Sequence, residues 1–284
     1  MKFIENGKVL SFENYLKTSA PYAGWRIAIP SYKRAATLRD KTLSALMEYG
    51  VNPSLIDIFV ANDEQRLEYE ATLKRNTYNR IVVGVVGMGA IRCFIQDYYK
   101  CGQRLVCLDD DLKELYMVNA EGKPVDIANL TRLFDYAFYV CAAVKTGYFG
   151  VYAVDNPYFM KRQISLGLRY LIGSFWGMVV NHDRFTYVTM DDKEDYERSV
   201  RAYLKYGNVV RLDFVGMKSN YYKEPGGMQV TRTERRIAES GMRLERMFPD
   251  QVRKNGRRKE HYEVELVEQR QAHKKVSRAV LRLA

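Results

Sequence analysis

Four short apolar runs, each answered by a stretch of helical spacing, constrain this chain more than any other feature. Trp25–Pro30 (WRIAIP), Ile56–Ala61 (IDIFVA), Arg80–Val86 (RIVVGVV) and Leu105–Leu108 read as strands. Between them Ala35–Tyr49, Glu64–Leu73 and Ala90–Lys100 read as helices. Leu38, Leu43, Leu46 and Met47 line one side of the first helix, and Gly50 is its natural stop. Strands and helices alternating at this spacing predict a parallel, doubly wound sheet covered on both faces. Ligands of such sheets bind outside the carboxyl ends of the strands.

The fourth strand ends in Asp109, Asp110 and Asp111 (RLVCLDDD), where that rule puts a ligand. Adjacent carboxylates repel one another and call for a nearby cation. Hard divalent ions take carboxylate oxygens and bridge them to phosphates. The triplet therefore reads as a metal–diphosphate site, or as a solvated acidic turn or helix N-cap if Leu112–Val118 starts a helix.

After Val118 the pattern changes. Ile127–Val144 is helical and aromatic-rich, Tyr148–Val154 reads as a strand, and Leu171–Val180 as one strand or two short ones. Asp191–Tyr206 is a charged helix closed by Gly207, and Val209–Val215 is a late strand. Lys218–Gly227 is a polar, glycine-ended loop. Glu234–Met247 and Val264–Leu283 read as helices, and the segment up to Pro21 as a short lead-in.

The chain is 47% hydrophobic over 284 residues, enough for a substantial core. No apolar run approaches the ~20 residues of a membrane helix, and the first residues lack a secretory h-region. Cys93, Cys101, Cys107 and Cys141 form no CxxC pair, so reduced cysteines and a cytoplasmic setting are expected, with no zinc site. From Thr231 to Ala284, 15 Lys/Arg face 8 Asp/Glu, so +7 of the net +11 lies in the tail. A basic segment suits a polyanionic partner or is simply a solvated helix face.

A strand with a Pro-Ser loop, a strand ending in an acidic residue, a glycine-flanked strand and a strand ending in Asp-x-Asp together resemble a glycosyltransferase of the GT-A fold, over roughly Trp25 to Val215. The resemblance implies a GT-A-type, Rossmann-like, mostly parallel sheet with helices on both faces and a basic helical C-terminal tail. It divides the chain into a catalytic domain (1–230) and a basic extension (231–284). The catalytic domain has a nucleotide-sugar half (about 22–118) and an acceptor half (about 119–230). It implies that Asp109 and Asp111 hold Mn²⁺ or Mg²⁺ against the diphosphate of a nucleotide sugar, expected to be a UDP-sugar. Asp110 then contacts ribose or sugar hydroxyls, and Pro30, Ser31 and Arg34 cradle the nucleotide. Asp63 reads the base, and Arg92, behind Gly87 and Gly89, approaches the diphosphate. Lys193-Glu194-Asp195 matches the x-Glu-Asp motif of many inverting members. Asp195 is then the general base, with Glu194 the alternate; a retaining enzyme needs neither.

Each position also has a structural reading: a tight βα turn at Gly87 and Gly89, a surface helix residue at Arg92, a helix cap at Asp63, and an acidic first turn at Asp191–Asp195. VGMGAI is not a full G-x-G-x-x-G, which argues against a dinucleotide site. His182, His261 and His273 do not fall where the family's histidine metal ligand often lies.

Tyr221, Tyr222, Lys223 and Gly226-Gly227, with the basic tail, suit a nucleic-acid strand. The layout is similar to phage TET-associated DNA glycosyltransferases, which implies a hydroxymethylated pyrimidine of DNA as acceptor and a host cytoplasm as the setting. Other readings remain open: a GT-A enzyme with a saccharide, lipid or protein acceptor, a nucleotidyltransferase, or a non-catalytic nucleic-acid-binding protein.

Overall fold

The computed structural model describes residues 3–5, 8–10, 12–17, 24–219, 233–256, 262–268 and 280–282. The first half runs β1 (Phe3–Glu5), β2 (Lys8–Leu10), α1 (Phe12–Lys17), β3 (Trp25–Pro30), α2 (Ala35–Leu38), a π-helical turn (Arg39–Leu43), α3 (Ser44–Glu48), β4 (Ile56–Val60), α4 (Asp63–Thr72), β5 (Arg80–Val83), α5 (Met88–Tyr98) and β6 (Arg104–Leu108). Then follow β7 (Leu112–Val118), β8 (Pro124–Asp126), α6 (Leu130–Ala143), β9 (Tyr148–Val151), β10 (Gln163–Ser165), β11 (Phe175–Val179), α7 (Glu194–Tyr206), β12 (Val210–Leu212) and β13 (Val215–Ser219). The C-terminal part adds α8 (Glu234–Met247), β14 (Val252–Lys254), β15 (Val264–Leu266) and β16 (Val280–Arg282).

The central sheet has nine strands in the order β16-β10-β12-β9-β11-β6-β3-β4-β5. All run in one direction except β10 and β11. This is the expected α/β layout: a mostly parallel, Rossmann-like sheet with helices on both faces. Alternation along the strands decides which residue meets which layer. Ile27 and Ile29 of β3 join Val106 and Leu108 of β6 on the face covered by α6. Ala28, Leu105 and Cys107 turn to the other face, against Ile91 and Ile95 of α5. A smaller antiparallel sheet, β13-β7-β8, follows the acidic triplet.

Several elements differ from expectation. Leu112–Val118 is a strand paired with β13, so the triplet caps no helix; Leu112 and Leu115–Val118 bury while Lys113 stays exposed. Val209–Val215 is two strands in two sheets. The chain turns at Asp213, a buried carboxylate that accepts from Ser165, Gln163 and Arg211. Leu171–Val180 is a strand only over Phe175–Val179, leaving Leu171–Ser174 as a loop. In the stretch expected as the helix Val264–Leu283, the described residues include strands; Val264 packs inward while its neighbours on β15 stay half-exposed, and no helical period of 3.6 is seen. The tail's one described helix is Glu234–Met247, as expected. The lead-in contributes to the core, with Phe12 and Leu16 buried against α6. The Tyr221–Gly227 loop, His261, His273 and the Arg257–Glu260 part of the basic run lie outside the described residues.

The C-terminal segment packs on α7. Leu244, Phe248, Val252 and Val264 form a cluster with Leu168, Met190 and Val200. Cys93, Cys101, Cys107 and Cys141 are all free thiols.

Candidate active site

Strand β6 delivers the triplet to the carboxyl edge of the sheet, beside the loop that follows β3. Ser31 Oγ donates to Asp110 Oδ2 at 2.6 Å and lies 2.6 Å from the Tyr69 hydroxyl. Arg34 reaches Asp110 at 3.3 Å and Asp111 at 3.9 Å. The Arg34 amide donates to Tyr69 Oη at 3.0 Å, so one phenol braces both ends of the Pro30–Arg34 loop. Thr42, presented by the π-helical turn, fastens the triplet from beneath. Its hydroxyl donates to the Asp109 carbonyl (2.8 Å) and accepts from the Leu112 amide (3.0 Å).

Arg92 is the centre of the site. Its place on the buried stripe of α5, with Ile91 and Ile95, aims it under the triplet. Its guanidinium donates to Asp109 Oδ1 at 2.8 Å and to the Gly173 carbonyl at 3.0 Å, and its Nε lies 3.5 Å from Glu194 Oε1. Glu194 also takes Arg198, whose guanidinium lies over the Trp176 ring at 3.9 Å. Two acidic motifs far apart in sequence thus share one buried guanidinium. Gly173 allows this approach: a Cβ there would stand 3.1 Å from Glu194 Oε1.

Asp195, the neighbour of Glu194, is half-buried. It accepts from the half-buried Tyr170 hydroxyl at Oδ2 and from the Tyr196 amide at Oδ1 (3.0 Å). The Ser199 hydroxyl joins the Asp195 carbonyl to the Leu171 amide, tying the first turn of α7 to the Leu171–Ser174 loop. Helix α7 starts from Lys193, which adopts a left-handed conformation (φ 62°). Its side chain is 6% exposed, and the ammonium pairs with Glu263 beside β15 at 3.0 Å.

Other candidates lie elsewhere or are engaged differently. Asp110 is 5% exposed and bound to Ser31 and Arg34, so it braces the loop rather than facing outward. Arg92 is likewise buried and bonded to protein acceptors, not a surface helix residue. Asp63 does not cap α4, since Asn62 does; its carboxylate is 77% exposed and pairs with Arg66. Gly87 takes φ +103°, and a Cβ at Gly89 would meet the Met190 carbonyl at 2.5 Å. This close approach lets Asp191 accept from the Gly89 amide at 2.9 Å, placing a carboxylate at the N-terminus of α5. His182 sits at the far edge of the sheet, against the Tyr99 carbonyl.

Tyr69, Thr42, Tyr170, Gly173, Trp176 and Arg198 belong to the site without being singled out by the sequence. Among them only Arg198, four residues after Glu194, carries a local signal, the i,i+4 ion pair.

The electrostatics are those of crowded carboxylates. Burial among surrounding protein atoms pushes the Asp109 carboxyl up to about 7, with Asp111 and Asp110 adding to it and Arg92 compensating only in part. Burial raises Asp110 to about 6 against the pull of Ser31 and Arg34. Glu194 is raised by burial although two arginines oppose it, and Arg92 is held protonated because Asp109 and Glu194 outweigh its burial. Asp109 and Asp111 fit a hard divalent cation in donor chemistry, and a cation would relieve this repulsion. Among the described residues no group of three His, Cys, Asp or Glu side chains is arranged to hold a metal by itself.

A pH dependence follows. In chelator, the folded chain holds protons on Asp109 and Asp110 where the unfolded chain has released them. Stability is therefore expected to rise as pH falls from about 8 to about 5, by on the order of 1–2 kcal/mol given partial exposure of Asp109. The carboxyls held low, Asp40, Asp97, Asp183 and Glu245, titrate below that window. Urea midpoints with EDTA at the two pH values check it; a midpoint that falls on acidification contradicts the assignment.

No family model matches this chain, and no curated protein matches it. Among solved structures, similarity is found to a mannose-1-phosphate geranyltransferase from Thermus thermophilus, at 14% identity. The match covers 79% of this chain and 64% of that one, with a TM-score of 0.29. The chain thus spans less than two thirds of that protein's length. At that score the likeness carries no argument, and the functional reading rests on the geometry of the chain itself.

Proposed function

We propose that the protein is a metal-dependent transferase that moves a sugar from a nucleotide-sugar donor, and that its acceptor is a hydroxymethylated pyrimidine of DNA. The observation that carries the transferase reading is Arg92, which joins Asp109 at the end of β6 to Glu194 at the start of α7. It ties a diphosphate-side carboxylate to the residue next to the candidate base, Asp195. Asp109 and Asp111 would hold Mn²⁺ or Mg²⁺, which would supply Lewis-acid neutralisation of the leaving diphosphate. Ser31 and Arg34 hold Asp110 and keep the loop behind Pro30 in place for the nucleotide.

Asp195 takes the proton of the acceptor hydroxyl as that oxygen bonds to the anomeric carbon. The bond from that carbon to the diphosphate breaks, and nucleoside diphosphate leaves. The Tyr170 hydroxyl orients the Asp195 carboxylate. Glu194, enclosed by two arginines, positions rather than reacts. The DNA acceptor rests on the net charge of +11 and its concentration in the tail.

A thermal-shift screen of nucleotide sugars with and without Mn²⁺ tests the donor side, since a ligand that binds only the folded state raises its melting temperature. Asp111→Asn is expected to abolish the Mn²⁺-dependent shift; a retained shift overturns the metal assignment. Incubation with hydroxymethylated DNA, read by nucleoside mass spectrometry, should show a gain of one sugar. Transfer to a glycan instead, or pyrophosphate release from a sugar phosphate and a nucleoside triphosphate, overturns the acceptor or the reaction respectively.

A further inference from the structure

The loop after β9 exposes two aromatic rings and a valine. Tyr158 is 86% exposed, Phe159 53% and Val154 51%. The two rings meet edge to face, 5.1 Å between centroids. They stand on a single 3₁₀ turn that starts at Pro157, with the Asn156 side chain accepting from the Tyr158 amide at 3.0 Å. Proline and the Asn cap restrict this backbone before anything binds.

The loop is also anchored. Tyr116 of β7 donates its hydroxyl to Asp155 at 2.9 Å, and the Lys161 amide donates to the Asp213 carbonyl at 3.1 Å. Gly216 of β13 leaves the space in which Tyr116 and Met160 lie: a Cβ there would stand 2.7 Å from one and 3.1 Å from the other. Strand β7 begins directly after Asp111, so one short strand links the aromatic pair to the acidic triplet. Strand β9 is parallel to β6, which puts the loop on the same carboxyl edge as the candidate site.

We infer that Tyr158 and Phe159 form a stacking platform for an exposed base of a nucleic-acid strand, with Lys161 beside them for the phosphate backbone. Bases have a flat π-face that stacks on aromatic side chains whatever the sequence, and lysines track the backbone. The charge of the loop favours this occupant over a neutral sugar ring. Lys161 and Arg162 outnumber Asp155 in the loop, Asp155 keeps its charge while accepting from Tyr116, Glu114 of β7 is paired with Lys218, and Lys161 is exposed with no ion pair among the described residues. The inference rests on the proposed nucleic-acid acceptor and names where that strand is gripped.

Fluorescence anisotropy of a labelled single-stranded deoxythymidine oligonucleotide tests it, with an abasic strand of equal length as control. The double variant Tyr158→Ala, Phe159→Ala is expected to bind the thymidine strand about tenfold more weakly. Its salt slope, melting temperature and donor-induced thermal shift should stay unchanged. Wild type should show a similar loss on the abasic strand, and Tyr158→Trp should retain binding. Lys161→Ala should instead lower the salt slope by about one. Wild-type affinity in the double variant overturns the platform alone. Failure of wild type to bind the strand, with the donor shift intact, overturns the nucleic-acid acceptor and the platform with it. A neutral oligosaccharide that binds wild type and loses affinity in the double variant overturns the nucleic-acid occupant and reassigns the platform to a glycan.

Discussion

Replacing Arg92 by methionine is expected to abolish turnover and to lower stability by about 3–5 kcal/mol, because the side chain removed is one partner of a buried, multiply paired charge cluster. Glu194 would keep only Arg198, and Asp109 would lose its ion pair while still crowded by Asp110 and Asp111. Arg92→Lys keeps the charge but not the planar guanidinium that reaches Asp109 and the Gly173 carbonyl from Nη2 and Glu194 from Nε, so it should fall between. Urea denaturation gives the stability and a donor thermal shift gives the site. A methionine variant within about 0.5 kcal/mol of wild type, the usual range of a surface change, would show that Arg92 does not hold the cluster together.

Truncation after Gly256 should have the second large effect, and not chiefly on nucleic-acid affinity. The cut removes Glu263, the partner of the buried Lys193, and Val264 from the cluster against α7. It also removes β16 from the edge of the central sheet. An unpaired buried ammonium and a lost core valine together cost on the order of 5 kcal/mol. The left-handed start of α7 loosens with them, and Asp195 loses its position. Turnover should fall more than tenfold while metal-dependent donor binding survives. Glu263→Gln leaves the tail's Lys and Arg in place and should reproduce part of the turnover loss with an unchanged salt slope. Full turnover in the truncated chain would separate the C-terminal segment from the site. A weaker grip on nucleic acid after truncation mixes charge with lost support, so the point variant is the cleaner probe.

The contrast between Asp63 and Arg92 shows what is legible in the sequence. Both stand out there by position after a strand. Asp63 is exposed and locally paired with Arg66, three residues on, a contact the sequence already contains. Arg92 is buried and paired with Asp109 and Glu194, contacts made only by folding β6 and α7 against α5. Asp110 is a similar case: the triplet is visible, but its division into outward and inward carboxylates depends on Ser31, Arg34 and Tyr69 arriving from other segments.

The order of strands and helices from Trp25 to Leu108, the acidic triplet at a strand end and the acidic start of α7 were set by the sequence alone. Each is a local consequence of hydrophobic period, helix stops and chain order. Tertiary structure decided the rest. It made Leu112–Val118 a strand because β13 was there to pair with it, and split Val209–Val215 at a buried carboxylate. It folded part of the basic tail against α7, and it gathered Arg92, Glu194, Arg198 and Trp176 into one cluster. Burial, charge pairing and close approach at glycine are properties of which surfaces meet, and no spacing along the chain encodes them.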